Sequence, residues 1–202
     1  MRTGIGFGIA ALLVLFALPA RAEEIANQVI SADVEKCRKF DSVRVDDSEP
    51  YAAWICSGVA GYKVTVTDDD LRTTVSVGTN IRRAQKEPAA NQSFGPFNSA
   101  HERIVWRGRK GAKPFAILQR WTIADQENLD KNGRPSGVDL FIVTRLPPGP
   151  VCHVAYVDAS ANDEAEALAR RAADAHARKF RCGRDKILIV GKRGRATELA
   201  RP

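Results

Sequence analysis

Apolar and polar residues alternate in short runs through the middle of the chain. Trp54-Ile55-Cys56, Tyr62-Val64-Val66 and Leu71-Thr73-Val75-Val77 are rich in β-branched and aromatic residues, and the latter two have a period of two. That is the pattern of half-buried strands. Gly58 and Gly61 punctuate the first junction, and Asp68-Asp69-Asp70 the second. Ile104-Val105-Trp106 opens a further strand. Phe115 to Ile123 sets Phe115, Ile117, Trp121 and Ile123 on one face, and Val138 to Leu146 does the same with Val138, Leu140, Ile142 and Leu146. Pro147-Pro148-Gly149-Pro150 ends that run, because proline offers no amide hydrogen to a ladder. Val151 to Val157 follows as a strand. Residues 23–50 have little period. Residues 79–101, with two prolines, a glycine and three asparagines, read as a long loop.

From Ala161 the period becomes helical. Ala165, Leu168, Ala169, Ala172, His176 and Phe180 fall on one stripe, while Arg170, Arg171, Asp174 and Arg178 face away. Ser160 with Asp163 resembles a capping box, and Gly183 ends the segment. Ile187 to Val190 is a short apolar strand. The last eleven residues hold three Arg and one Lys against one Glu and read as a loose basic tail. Strands first and one helix late predict an α+β fold: a mostly antiparallel sheet with one long C-terminal helix packed on it, and two disulfides.

Residues 1–22 read as a signal peptide. Arg2 precedes an apolar stretch from Ile5 to Leu18, Pro19 breaks it, and Ala20-Arg21-Ala22 supplies the small-x-small cleavage pattern. The stretch is short for a membrane span of about 20 residues. No Cys follows the cleavage position, so no lipid anchor is expected there. Residues 23–191 then form a single α+β domain and 192–202 the tail. Cys37, Cys56, Cys152 and Cys182 make an even number in an exported chain and read as two disulfides. Of three connectivities, Cys37–Cys56 and Cys152–Cys182 are favoured because each joins neighbouring elements. A zinc site built from the four cysteines is rejected for want of any CxxC spacing.

Composition narrows the class and assigns no activity. Over 202 residues, 44% are hydrophobic and 27% charged, which excludes wholesale disorder and a multi-pass membrane protein. The formal charge is +7, and the leader takes Arg2 and Arg21 of it away. There is no HExxH, G-x-S-x-G, Walker loop or G-x-G-x-x-G. His176 sits in the apolar stripe, His101 in a polar loop, and His153 on a strand facing away from the Cys152 sulfur. Asn128 to Asp139 matches a calcium loop loosely, but it opens with Asn and carries Pro135, so a polar hairpin is the better reading. Asp68-Asp69-Asp70 reads as a solvated turn. Trp106 and Trp121 share faces with core residues, and Trp54 neighbours a disulfide. No catalytic residue, cofactor or metal is assigned.

Basic strand positions are the remaining signal. Arg103, Arg107, Arg120 and Arg145 can share one face and form a cationic binding surface, or rim a helix seat of Val105, Leu118, Phe141 and Val143. The stretches Cys56-Ser57-Gly58, Gly61-Tyr62, Asp70-Leu71-Arg72 and Cys152 to Asp158 are similar to small exported bacterial proteins with no assigned activity. That resemblance implies a shared fold and supplies no site. The expectation is a non-catalytic periplasmic or secreted protein that binds an acidic protein or an anionic envelope polymer. Nucleic acid is not expected, nor a membrane span after leader removal. The alternative is a small periplasmic enzyme, a hydrolase using His153.

Overall fold

A computed structural model describes residues 24–40 and 51–201. The proposed leader lies outside those residues, and so does the Asp46-Asp47-Ser48-Glu49-Pro50 run, which reads as a loop from sequence. Ten strands make one mixed sheet. β1 (Ile25–Ser31), β2 (Arg38–Lys39), β3 (Tyr51–Ser57), β4 (Lys63–Asp69) and β5 (Arg72–Gly78) come first. β6 (Asn98–Arg109), β7 (Ala116–Leu129), β8 (Pro135–Arg145), β9 (His153–Asp158) and β10 (Leu188–Ile189) follow. The order is β10-β9-β8-β7-β6-β5-β4-β3-β2, and β1 pairs beside β6. β10–β9 and β5–β6 are parallel, the latter through the single pair Arg72↔Asn98. The sheet curls about that weak joint: Tyr62, just before β4, stacks on Trp106 of β6 with ring centroids 6.1 Å apart.

Alternation along β6–β8 feeds two cores. Ile104, Trp106, Ile117, Trp121, Leu140 and Ile142 join Val64, Val66, Val75 and Val77 of the β4–β5 hairpin on the inner face. Val105, Leu118 and Val143 face outward and stand in one row across the sheet, since Val105 opposes Leu118 and Leu118 opposes Val143. That outer row seats an alanine-rich helix.

The expected long helix is not formed. α2 (Ala165–Ala172) has 8 residues and runs into a π-turn of 5, Ala173–Ala177. It begins four residues later than the helical period because Asp158 captures the preceding backbone: its Oδ1 accepts from Ser160 N at 3.0 Å and Ala161 N at 2.9 Å. The π-turn adds one residue to a turn and shifts the buried phase. Ala172, Ala173 and Ala177 are buried, His176 slides to the margin, and Asp174 turns toward the sheet rather than away. The architecture is therefore a ten-stranded mixed sheet with small helices, not a sheet carrying one long helix.

Three further expectations change. In the 79–101 segment, α1 (Ile81–Ala84), a turn at Pro88–Asn91 and the start of β6 are formed. On β9 a register shift sets Thr144 opposite His153 and Val143 opposite Ala155, so Val154 bulges. Strict alternation from Cys152 along this strand would put Tyr156 on the Cys152 side; the bulge sets it on the inner face with His153 instead. The 192–202 segment, read as a loose tail, contains α3 (Arg195–Leu199), whose Ala196 is buried in the inner core together with Ala200 just after it.

Two acidic side chains dock α3. Asp158 Oδ2 accepts from Thr197 N at 3.2 Å. Asp125, 1% exposed, accepts from Arg195 Nε at 2.7 Å and Nη2 at 2.6 Å. Glycine is required at Gly194, where a Cβ would stand 2.7 Å from Asp158 Oδ2. Cys37–Cys56 ties the turn after β1 to β3, and Cys152–Cys182 ties β9 to the end of the helical segment.

The fork from Arg195 holds the Asp125 carboxyl well below the usual carboxylate range, against the opposing effect of burial. A depressed folded value stabilises above the unfolded value of about 3.9 and is lost as pH falls through the folded one. Asp125→Asn should therefore be less stable than the parent at neutral pH, and the two should converge progressively below about pH 4. Urea midpoints at several pH values check this, and a constant difference would contradict it. Separately, replacing Cys152 and Cys182 with serine should cost about 2–5 kcal/mol in the same assay.

Candidate functional site

The four arginines named from sequence all lie on the outer face. Arg107 and Arg145 flank Ala116 in one row, and Arg120 opposes Phe141. They do not form a free cationic surface. Arg103 Nη1 meets Glu166 at 3.1 Å, and Arg107 grips Asp174 through Nε at 2.8 Å and Nη2 at 2.5 Å. Both acids come from the helical segment, so these arginines clamp its edge. Arg120 pairs with Asp139. Arg145 is 9% exposed and donates to the carbonyls of Phe180 at 2.6 Å and Pro148 at 2.5 Å.

Unengaged cations gather elsewhere. Between the Pro88–Asn91 turn, the start of β9 and the C-terminal segment lies a cleft of about 1000 Å³. Phe180, Ile187 and Ile189 give it apolar wall, and His153 lies at its base. Arg184, Lys186, Arg193 and Arg201 stand around it, all exposed. None of the four makes a salt bridge among the described residues, although Arg184 lies near enough to Asp185 to add to the lowering of its carboxyl by Arg181. The two acids of the cleft do have salt-bridge partners. Asp185 is held by Arg181 at 2.7 Å, and Glu198 faces Arg195 at 3.6 Å. The cleft thus carries a surplus of positive charge over an apolar base.

Long-range pairing builds this arrangement. Parallel pairing of β10 with β9 carries Lys186 and Ile187 past the β9 start, and the Cys152–Cys182 bridge fixes the Arg184 loop beside it. Docking of α3 brings Arg193 and Arg201. No local pattern in the chain marks these residues as a site. The signal available was the excess of Arg and Lys in the last eleven residues, set aside as a tail.

His153 is 1% exposed and packed among Phe94, Trp121 and Tyr156. Its Nδ1 lies 2.9 Å from the Tyr156 hydroxyl, and its backbone N–H donates to Gln92 Oε1 at 2.8 Å. Burial pushes the imidazole down to about 3 and the Tyr156 phenol upward. The ring is neutral at ordinary pH and is oriented by a phenol rather than by a carboxylate. His101 contacts Thr122 at 2.9 Å on the surface. The calcium-like loop is a hairpin turn, with Asp130 Oδ1 accepting from Asn132 N at 2.8 Å and Arg134 N at 2.9 Å. No group of three or more His, Cys, Asp or Glu suited to a metal occurs among the described residues.

A buried neutral histidine favours the unfolded state as pH falls, since only the unfolded ring takes up a proton between the two values. Stability should decline between about pH 6.5 and pH 4 by roughly 3 kcal/mol on His153's account. His153→Gln should flatten that part of a plot of unfolding free energy against pH. An unchanged slope in the variant would assign the decline to other groups.

No family model matches this chain, no curated protein matches it, and no solved structure matches it.

Proposed function

We propose that this is an exported, non-catalytic protein that binds an anionic polymer or the acidic segment of a partner in the cleft beside β9 and β10. One observation carries the reading: Arg184, Lys186, Arg193 and Arg201 surround a concave, partly apolar cleft, and none of them makes a salt bridge among the described residues. Fixed like charges facing a cavity raise the local potential and attract an opposite charge. Arg103, Arg107 and Arg120, by contrast, have their charge matched internally.

Export is supported by the leader pattern of residues 1–22 and by two disulfides, which suit an oxidising compartment. A periplasmic location fits both. No helix among the described residues is long and apolar enough to cross a membrane. The hydrolase alternative gains no support from geometry: His153 is buried, and its Nδ1 engages a tyrosine.

The test uses heparin as a polyanion probe against the chain lacking residues 1–22. Binding should weaken steeply as salt rises, because exposed charges are screened beyond about 8 Å at physiological ionic strength. The triple variant Arg184→Glu, Lys186→Glu, Arg193→Glu should lose about tenfold or more in affinity. Arg120→Gln, on the outer face, should bind like the parent. Equal binding by the triple variant and the parent would refute the cleft as the site.

A further inference from the structure

Arg145 differs from the other arginines of its face in having no carboxylate partner among the described residues. Arg103, Arg107 and Arg120 each hold one. Arg145 holds two main-chain carbonyls, and its Nε is buried with no partner among the described residues. Glu87 acts on it electrostatically, but Glu87 Oε2 already accepts from the Val151 amide at 2.8 Å. Removing a guanidinium from water without an opposite charge is costly, and neutral carbonyls offset only part of that cost.

The same side chain lines a pocket of about 450 Å³ separate from the cleft. The pocket lies between the β6–β7 turn, the end of β8 and Tyr62. Two more cations border it. Lys113 Nζ is 5.9 Å from the Tyr62 ring centroid, and the Arg178 guanidinium carbon is 4.6 Å from that of Phe115. No Asp or Glu is among its described lining residues. The remaining wall is largely apolar, with Phe115, Leu146 and the prolines Pro114, Pro147 and Pro148.

We propose that this pocket binds a small organic carboxylate with an apolar body, its carboxylate meeting Lys113 and Arg145 and its hydrocarbon resting on Tyr62, Phe115 and Leu146. The prolines favour carboxylate over phosphate. A phosphate group is usually satisfied by several backbone N–H donors, and proline supplies none. A carboxylate has two oxygens, which two cationic side chains can serve. The aromatic walls suit a ring or branched chain more than a sugar, whose hydroxyls would face hydrocarbon.

The probe is phenylacetate, titrated into the protein lacking residues 1–22 and followed by calorimetry and by thermal midpoint. It should bind in the millimolar range or tighter and raise the midpoint. The uncharged 2-phenylethanol should do neither. Lys113→Ala, at an exposed position beside the Tyr62 ring, should weaken phenylacetate about tenfold. Arg145→Gln should weaken it further, and if that variant fails to fold, Lys113→Ala decides. The cleft variant Arg184→Glu should bind phenylacetate as the parent does, which separates this site from the polyanion site. No phenylacetate binding by the parent, or equal binding by Lys113→Ala, would overturn the proposal. Tighter binding of phenyl phosphate than of phenylacetate would overturn the assignment to carboxylates.

Discussion

Strands β6–β8 are covered on both faces, and most of the molecule follows from that constraint. The inner face meets the β4–β5 hairpin and α3, and the outer face meets α2 and the π-turn after it. Neighbouring residues such as Ile104 and Val105, or Ile117 and Leu118, are therefore both buried. At roughly 25 cal/mol for each Å² of apolar surface removed from water, this double burial is the main favourable contribution to the fold. It also dictates where charge can stand. Two basic residues of the outer face sit at the helix margin and find acids there, Arg103 with Glu166 and Arg107 with Asp174. The helix is fixed laterally by those pairs and vertically by alanines that allow close approach to the sheet.

Much of this was legible in the chain. β4, β5, β7 and β8 announce themselves by a period of two, because one of their faces is consistently more apolar. The disulfide pairing followed from proximity along the chain. The helix was legible in position and not in extent, because Asp158 diverts its first turn and the π-turn rotates its second half; both depend on partners distant in sequence. The Val154 bulge is similarly silent, since all residues from Val151 to Val157 are buried and no polar marker reveals a slip of phase. The cleft was visible only as a charge excess. Its assembly needs β10 to pair with β9 and α3 to dock on Asp125 and Asp158, and no local pattern encodes either contact.

The two candidate sites differ in what controls them. The cleft draws its charge from exposed side chains around its margin, while His153 at its base contributes none at ordinary pH. Ionic strength rather than acidity then governs attraction there. The Arg145 pocket is smaller, and the Arg145 side chain itself is buried, so a charge meeting its guanidinium is screened less by salt. One surface suits a long, weakly specified polyanion, and the other a compact ligand recognised by shape as well as charge.

The docking of α3 has a kinetic consequence. Asp158 closes β9 and Asp125 lies well along β7, yet their satisfying groups, Thr197 N and Arg195, belong to residues near the carboxyl end of the sequence. Until those residues have emerged from the ribosome, two buried carboxylates have no donors from α3, and Ala196 and Ala200 leave a gap in the inner core. Contacts of such long sequence separation form late and slowly. A chain that has not yet placed these residues stays short of its native state, its inner core open and its buried carboxylates only partly served.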